Sequence, residues 1–158
     1  MIVHEEFFLD IPHEEAWRFF SDIPSPLVAL PGLVELKQYA PHRYRGGVRV
    51  HIGPFTFTFK GNIDITLVDH DNNKVNIRGF AVDNLLRSSF EAYAYTHTLP
   101  HENNTTRVKL EVHTNLSGIL VKLGELILRP KAKQVIGYYR EAVRKEILKR
   151  RETNQVTN

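Results

Sequence analysis

The sequence contains no cysteine, which excludes disulfides, thiolate metal sites and cysteine nucleophiles together and suits a reducing compartment. It also lacks any apolar run approaching the roughly 18 residues that a membrane span needs. Its opening, MIVHEEFFLDIP, has neither the basic segment nor the long apolar stretch of a secretory leader. The expectation is a soluble, cytoplasmic protein. Linkers, low-complexity tracts and internal repeats are missing too, so the 158 residues read as one domain over 1–151 and a disordered tail over 152–158. A chain of this length buries roughly 70% of its unfolded surface and needs no staple. Net charge is small, +3, yet residues 129–151 carry nine Lys or Arg against two Glu, a local +7 that leaves the remainder at −4. An acidic protein, an anionic membrane or nucleic acid would have to meet that segment.

What is present is alternation. From Phe55 the odd positions Phe55, Phe57, Phe59, Ile63, Ile65 and Leu67 are apolar, while Thr56, Thr58, Lys60, Asn62, Asp64 and Thr66 are polar. Such a pattern, interrupted only at Gly61, belongs to a strand buried on one face and wetted on the other. A first strand over 3–10 precedes a short helix entered at Pro12, with Glu14 and Glu15 early in it, and a second short helix near 27–30. Strands follow at about 33–39, 43–52, 55–68, 73–81, 86–98 and 106–116, joined by the turn sequences Gly53-Pro54, 69–73 and 100–105. The final segment, 119–150, is helical with Ala132, Val135, Ile136, Tyr139, Val143 and Ile147 on one stripe. Pro130 predicts a kink or break between 126 and 130. The order predicts an α+β fold: a curved seven-stranded antiparallel sheet, two short helices after strand 1, and a long C-terminal helix covering the apolar face.

Eight histidines invite a metal site, but no HExxH spacing occurs: His4-Glu5-Glu6 and His13-Glu14-Glu15 lack a second His four positions on. His70 between Asp69 and Asp71 fits turn chemistry, and His51 and His113 fall on polar strand phases. No metal ligand set and no cofactor is predicted. Ser88-Ser89 has no Gly-flanked elbow and Gly46-Gly47 no P-loop lysine, so no catalytic residue is assigned. Strand 86–98 is open in phase. One phase turns Phe90, Ala92 and Ala94 inward, which burial preference favours; the other turns in Tyr93, Tyr95 and His97, which could act as acid and base. Glu5 is expected near a frayed sheet edge.

Several motifs, taken in order, resemble one family. Ile11-Pro12-His13-Glu14-Glu15-Ala16-Trp17 is similar to an Ala-Pro-x-Glu-x-Val-Trp entry to a first helix, and Leu30-Pro31-Gly32 precedes the second strand. Ile52-Gly53-Pro54-Phe55 and Thr58-Phe59-Lys60-Gly61 resemble an Ile-Gly-Pro hairpin and the Phe-Lys-Gly after it. Thr106-Arg107-Val108 with Glu111-Val112, and Leu123-Gly124, resemble the last strand and the start of the long helix. Over roughly residues 3–148 the chain resembles the carbon monoxide dehydrogenase G-subunit family, within the START/Bet v 1-like (SRPBCC) helix-grip superfamily. The chain departs from that family in ending on polar residues, where longer members can carry an apolar tail. Phe57 stands where a smaller residue is expected, and an inward phenyl ring would shrink a cavity.

The resemblance implies a cavity between sheet and long helix that holds an apolar small molecule or lipid, without catalysis. The pocket contributors expected are Val50, Ile52, Phe57, Phe59, Ile77, Phe90, Ala92, Leu110, Val112, Leu126, Ile136 and Tyr139. The alternative it implies is an accessory or maturation factor for a molybdenum hydroxylase of the carbon monoxide dehydrogenase type, or for its assembly ATPase. A cyclase or dehydratase-like enzyme is a third reading. Lys133, Arg140, Arg144 and Arg151 form a basic flank on the last helix that could lie on an acidic partner or, peripherally, on a membrane, or simply wet the margins of a cover helix. No nucleic-acid reader motif is present.

Overall fold

The computed structural model describes residues 1–157. Strand β1 (Ile2–Leu9) leads into helices α1 (His13–Ser21) and α2 (Ser25–Val28). Six strands follow: β2 (Leu33–Ala40), β3 (Arg43–Ile52), β4 (Phe55–Asp69), β5 (Lys74–Asp83), β6 (Ser88–His101) and β7 (Thr105–Ser117). Helices α3 (Ile119–Leu123) and α4 (Glu125–Thr157) end the chain. The strands form one antiparallel sheet in the order β1-β7-β6-β5-β4-β3-β2, which gives the expected helix-grip arrangement. Every neighbouring pair except β1 with β7 is a hairpin, so the local turn sequences settle most of the topology.

Side-chain chemistry explains the joints. At the β4–β5 turn the Asp69 carboxylate accepts the N–H groups of Asp71 and Asn72, each at 3.0 Å, and the Asn72 amide at 2.9 Å. The Asn72 side chain is the main cause holding the Asp69 carboxyl below the usual carboxylate range. At the β5–β6 turn the buried Asp83 accepts the backbone N–H of Leu86 at 2.9 Å and of Thr58 at 2.8 Å. Burial pushes the Asp83 carboxyl up, but those backbone donors outweigh it and hold it below its usual value. Gly61 interrupts the β4 pattern because a Cβ there would lie 1.8 Å from the Phe80 carbonyl oxygen.

Apolar packing divides into two clusters. One joins β1, α1, α2 and the C-terminal half of α4 through Phe7, Leu9, Phe19, Phe20, Leu27, Val143 and Ile147. The other lies at the opposite end, where Ile52, Phe57 and Phe59 meet Leu120 of α3 and Leu128 of α4. Two features of the last helix differ from expectation. The break falls at Gly124, ahead of 126–130, because its φ of +76° is one that residues with a side chain rarely adopt. The helix then runs through Pro130 and on through Thr157, past the point where a tail was expected at 152; the Thr153 hydroxyl bonds back to the Lys149 carbonyl at 3.1 Å. Asn158 lies outside the described residues.

Candidate functional site

Strand register decides what faces α4. Cross-strand partners share a face, and two rows of partners run across the middle of the inner face. One is Thr114, Ala92, Gly79, Ile63 and Tyr44; the next is Leu116, Phe90, Ala81, Gly61 and Gly46. With Ala94 in the adjoining row, five small residues, Gly61, Gly79, Ala81, Ala92 and Ala94, meet on β4, β5 and β6. The backbone of α4 comes within 8 Å of the sheet mainly along β1 and at β3. It bridges the two flanks over a face whose middle carries these small residues. Ala92, Ala94, Leu110 and Val112 on the sheet, and Ala132 and Val135 on the helix, are only half-buried and belong to neither apolar cluster. We read these half-buried side chains as the lining of an apolar trough between the two packed ends.

The expected pocket residues divide among three places. Ala92, Leu110 and Val112 lie on the trough floor, with Ile77 and, from α4, Ile136 and Tyr139 at the boundary with the first cluster. Val50, Ile52, Phe57 and Phe59 fill the other end, and Phe90 packs against them. Phe57 is 0% exposed and stacks on Phe59, with centroids 5.1 Å apart and planes 6° from parallel, while Phe90 meets Phe59 edge-on at 4.9 Å. Phe57 therefore closes that end of the trough. Leu126 is a correction: it is 94% exposed, and Leu128 takes the inward position. Six residues before Ala132, Leu126 points about 120° around the helix from the stripe, whereas Leu128, one turn before Ala132, continues it.

In β6 the register turns Phe90, Ala92 and Ala94 inward and Tyr93, Tyr95 and His97 to the outer face. There the Tyr93 hydroxyl donates to Glu91 at 3.2 Å, Tyr95 meets His113 edge-on, and burial holds the His97 imidazole below its usual pKa. The rings that an acid–base mechanism would have used lie on the wrong side of the sheet. Glu5, expected at a frayed edge, pairs with Leu110 on the inner face, and its carboxylate is 3.9 Å from Lys133 of α4. Tyr139 was a pocket residue by pattern; its hydroxyl donates to the Pro26 carbonyl at 2.9 Å, and burial pushes its phenol well above the usual range.

The basic flank of α4 is largely occupied with its own fold. Arg129 and Arg140 donate to the Ile2 and Phe8 carbonyls of edge strand β1, at 2.8 and 3.2 Å. Arg151 holds the Glu15 carboxylate in a forked contact, with Nε at 2.6 and 2.9 Å from its two oxygens. Arg144 is exposed. Edge carbonyls are satisfied by these arginines in place of another strand, which protects the edge from foreign pairing. Two other depressions are open and charged. One, of about 650 Å³, lies on the outer face around Lys74, His97, Lys109 and Glu111; the other, of about 420 Å³, lies between α1 and the end of α4. No group of three or more potential metal ligands converges among the described residues.

The family model for the carbon monoxide dehydrogenase G-subunit (CoxG) matches residues 6–148. The chain belongs to the CoxG family. No curated protein matches it. Among solved structures, a conserved protein from Geobacillus kaustophilus superposes with a TM-score of 0.83 at 16% identity, covering 94% of this chain and 96% of that one. The Zhui aromatase/cyclase from Streptomyces sp. R1128 gives 0.63 at 12% identity, covering 95% and 94%. A norcoclaurine synthase point mutant from Thalictrum flavum, in complex with a transition-state analogue, gives 0.66 at 15% identity, covering 96% of each. At these identities the likeness to the two enzymes shows the fold alone.

Proposed function

We propose that this CoxG family chain binds an apolar or amphipathic small molecule in the trough between sheet and α4, without transforming it. The observation that carries the reading is the bridging helix. Half-buried apolar side chains on sheet and helix join neither core, and at the middle of the sheet face Gly61, Gly79, Ala81, Ala92 and Ala94 leave room above β4, β5 and β6. An apolar guest would remove that surface from water at about 25 cal/mol per Å², and clefts lined this way with a few polar groups are the usual small-molecule sites. Glu5 and Lys133 supply such groups at the β1 side. The test is saturable uptake of anilinonaphthalene sulfonate by the folded protein, displaced by a long-chain fatty acid and lost in Ala94→Phe. Uptake that does not saturate, or that persists unchanged in Ala94→Phe, would contradict the reading.

A second reading rests on the family description, which names a component of carbon monoxide dehydrogenase. On it, the chain is an accessory factor that contacts such an enzyme or its assembly ATPase. Arg144 is the basic-flank residue best placed for that contact, since Arg140 and Arg151 are engaged internally. Co-purification with a molybdenum hydroxylase, weakened by Arg144→Glu, supports this reading; an empty pull-down removes its support.

A further inference from the structure

The end of the molecule formed by α3, the β5–β6 turn and the start of α4 carries an unused apolar surface. Leu85 is 90% exposed, Leu126 94% and Val121 59%, with Ile127 beside them. They belong to one tip. The Ser88 hydroxyl accepts the Ile119 N–H at 2.9 Å and donates to the Leu86 carbonyl at 3.0 Å, tying the turn to the start of α3. A Cβ on Gly118 would lie 2.1 Å from the Arg87 carbonyl oxygen, so the two segments touch backbone to backbone. Leu86, Leu120, Leu123 and Leu128 anchor the same three segments in one core, which leaves Leu85, Val121 and Leu126 pointing away from it. Single exposed leucines are ordinary, but a group of them on one projecting end marks a contact surface.

Charge around the tip is mainly positive. Residues 84–87 and 118–131 contain Arg87, Lys122, Arg129 and Lys131 against Glu125 alone, a local +3. Glu125 is paired with Arg129 at 2.9 Å, and Arg87 and Lys122 are exposed. We propose that this tip docks on an anionic lipid bilayer, with Leu85, Val121 and Leu126 entering the acyl boundary and Arg87 and Lys122 meeting the headgroups. Side chains that stand almost free of the surface need no matching pocket in a fluid hydrocarbon layer, and cations just behind them add attraction to anionic lipid. No helix among the described residues is long and apolar enough to cross a membrane, so the contact is peripheral. The sequence pointed instead to the basic flank of α4, most of which the fold consumes. This docking does not depend on whether the trough holds a ligand.

Vesicle flotation tests it, with phosphatidylcholine vesicles containing phosphatidylserine compared against phosphatidylcholine alone. The wild-type chain is expected to float with the anionic vesicles. Leu85→Asp with Leu126→Asp should lower partitioning roughly a hundredfold, the effect of keeping two leucines out of hydrocarbon, and Lys122→Glu by at least about fivefold. Arg144→Glu, on the far part of α4, should change little. Circular dichroism checks the fold of each variant, and Leu126→Trp gives a second readout through a blue shift of its emission on anionic vesicles. Failure of the wild-type chain to float, flotation insensitive to the paired Asp substitutions, or loss in Arg144→Glu would overturn the proposal. So would a concentration-dependent dimer that the Asp substitutions dissolve, since a second copy would then cover the tip.

Discussion

Replacing Gly79 by valine separates space for a guest from space that the fold needs. Gly79 lies in the inner face of β5 between Ile63 and Ala92, and a Cβ built on it meets only the Asn62 carbonyl oxygen, at 3.9 Å. Its φ is not in the left-handed region, so valine fits the backbone without strain. Glycine in a strand costs roughly 0.5–1 kcal/mol relative to alanine in unfolded-chain entropy. A half-covered isopropyl group adds about 1 kcal/mol by leaving water. Gly79→Val should therefore stabilise the protein by about 1–2 kcal/mol, raising Tm by roughly 2–4 °C for each kcal/mol. The same three carbons occupy the trough floor, so saturable uptake of anilinonaphthalene sulfonate should fall. Urea unfolding and probe titration on one preparation give both numbers. A loss of stability would mean that α4 already fills the space above Gly79; a gain with undiminished uptake would mean that the probe binds elsewhere.

Phe57→Ala, at a fully buried and stacked position, should cost about 3–5 kcal/mol in urea unfolding, since Phe59 and Leu120 would face a void. Tyr139→Phe removes the bond to the Pro26 carbonyl and should cost about 1 kcal/mol, with little effect on probe uptake if that hydroxyl only secures α4 to the α1–α2 segment. Asp83 gives a pH dependence. Its folded pKa lies below the unfolded value, so its contribution is fully present above the ordinary Asp pKa and is lost as pH falls through the lowered folded one. Asp83→Asn should therefore flatten the acid limb of the stability curve below about pH 4, measured by unfolding midpoint against pH.

Much of the fold was legible because it is written locally. The β4 alternation from Phe55, the Asp69–Asn72 turn and the Gly53-Pro54 turn each specify their own geometry within a few residues, and successive hairpins then order the sheet. Less legible was whatever depends on partners distant in the chain. The inward group of Gly61, Gly79, Ala81, Ala92 and Ala94 exists only once register aligns three strands. Strand β6 was open in phase because both of its faces carry ring or methyl groups. Leu126 was misplaced because the helical period, counted back from Ala132, reaches Leu128 and not Leu126. The role of Arg140 was hidden because it binds the Phe8 carbonyl, a group every residue has. Glu5 found its partner on a helix 128 residues later in the chain.

Native mass spectrometry of the chain purified without detergent, beside Ala94→Phe and Gly79→Val, tests the central claim most directly. Binding in the trough predicts an added mass on the wild-type chain, released by organic solvent as an apolar molecule and diminished in both variants. A wild-type chain that carries no added mass, and that takes up none when a long-chain fatty acid is supplied, would contradict it.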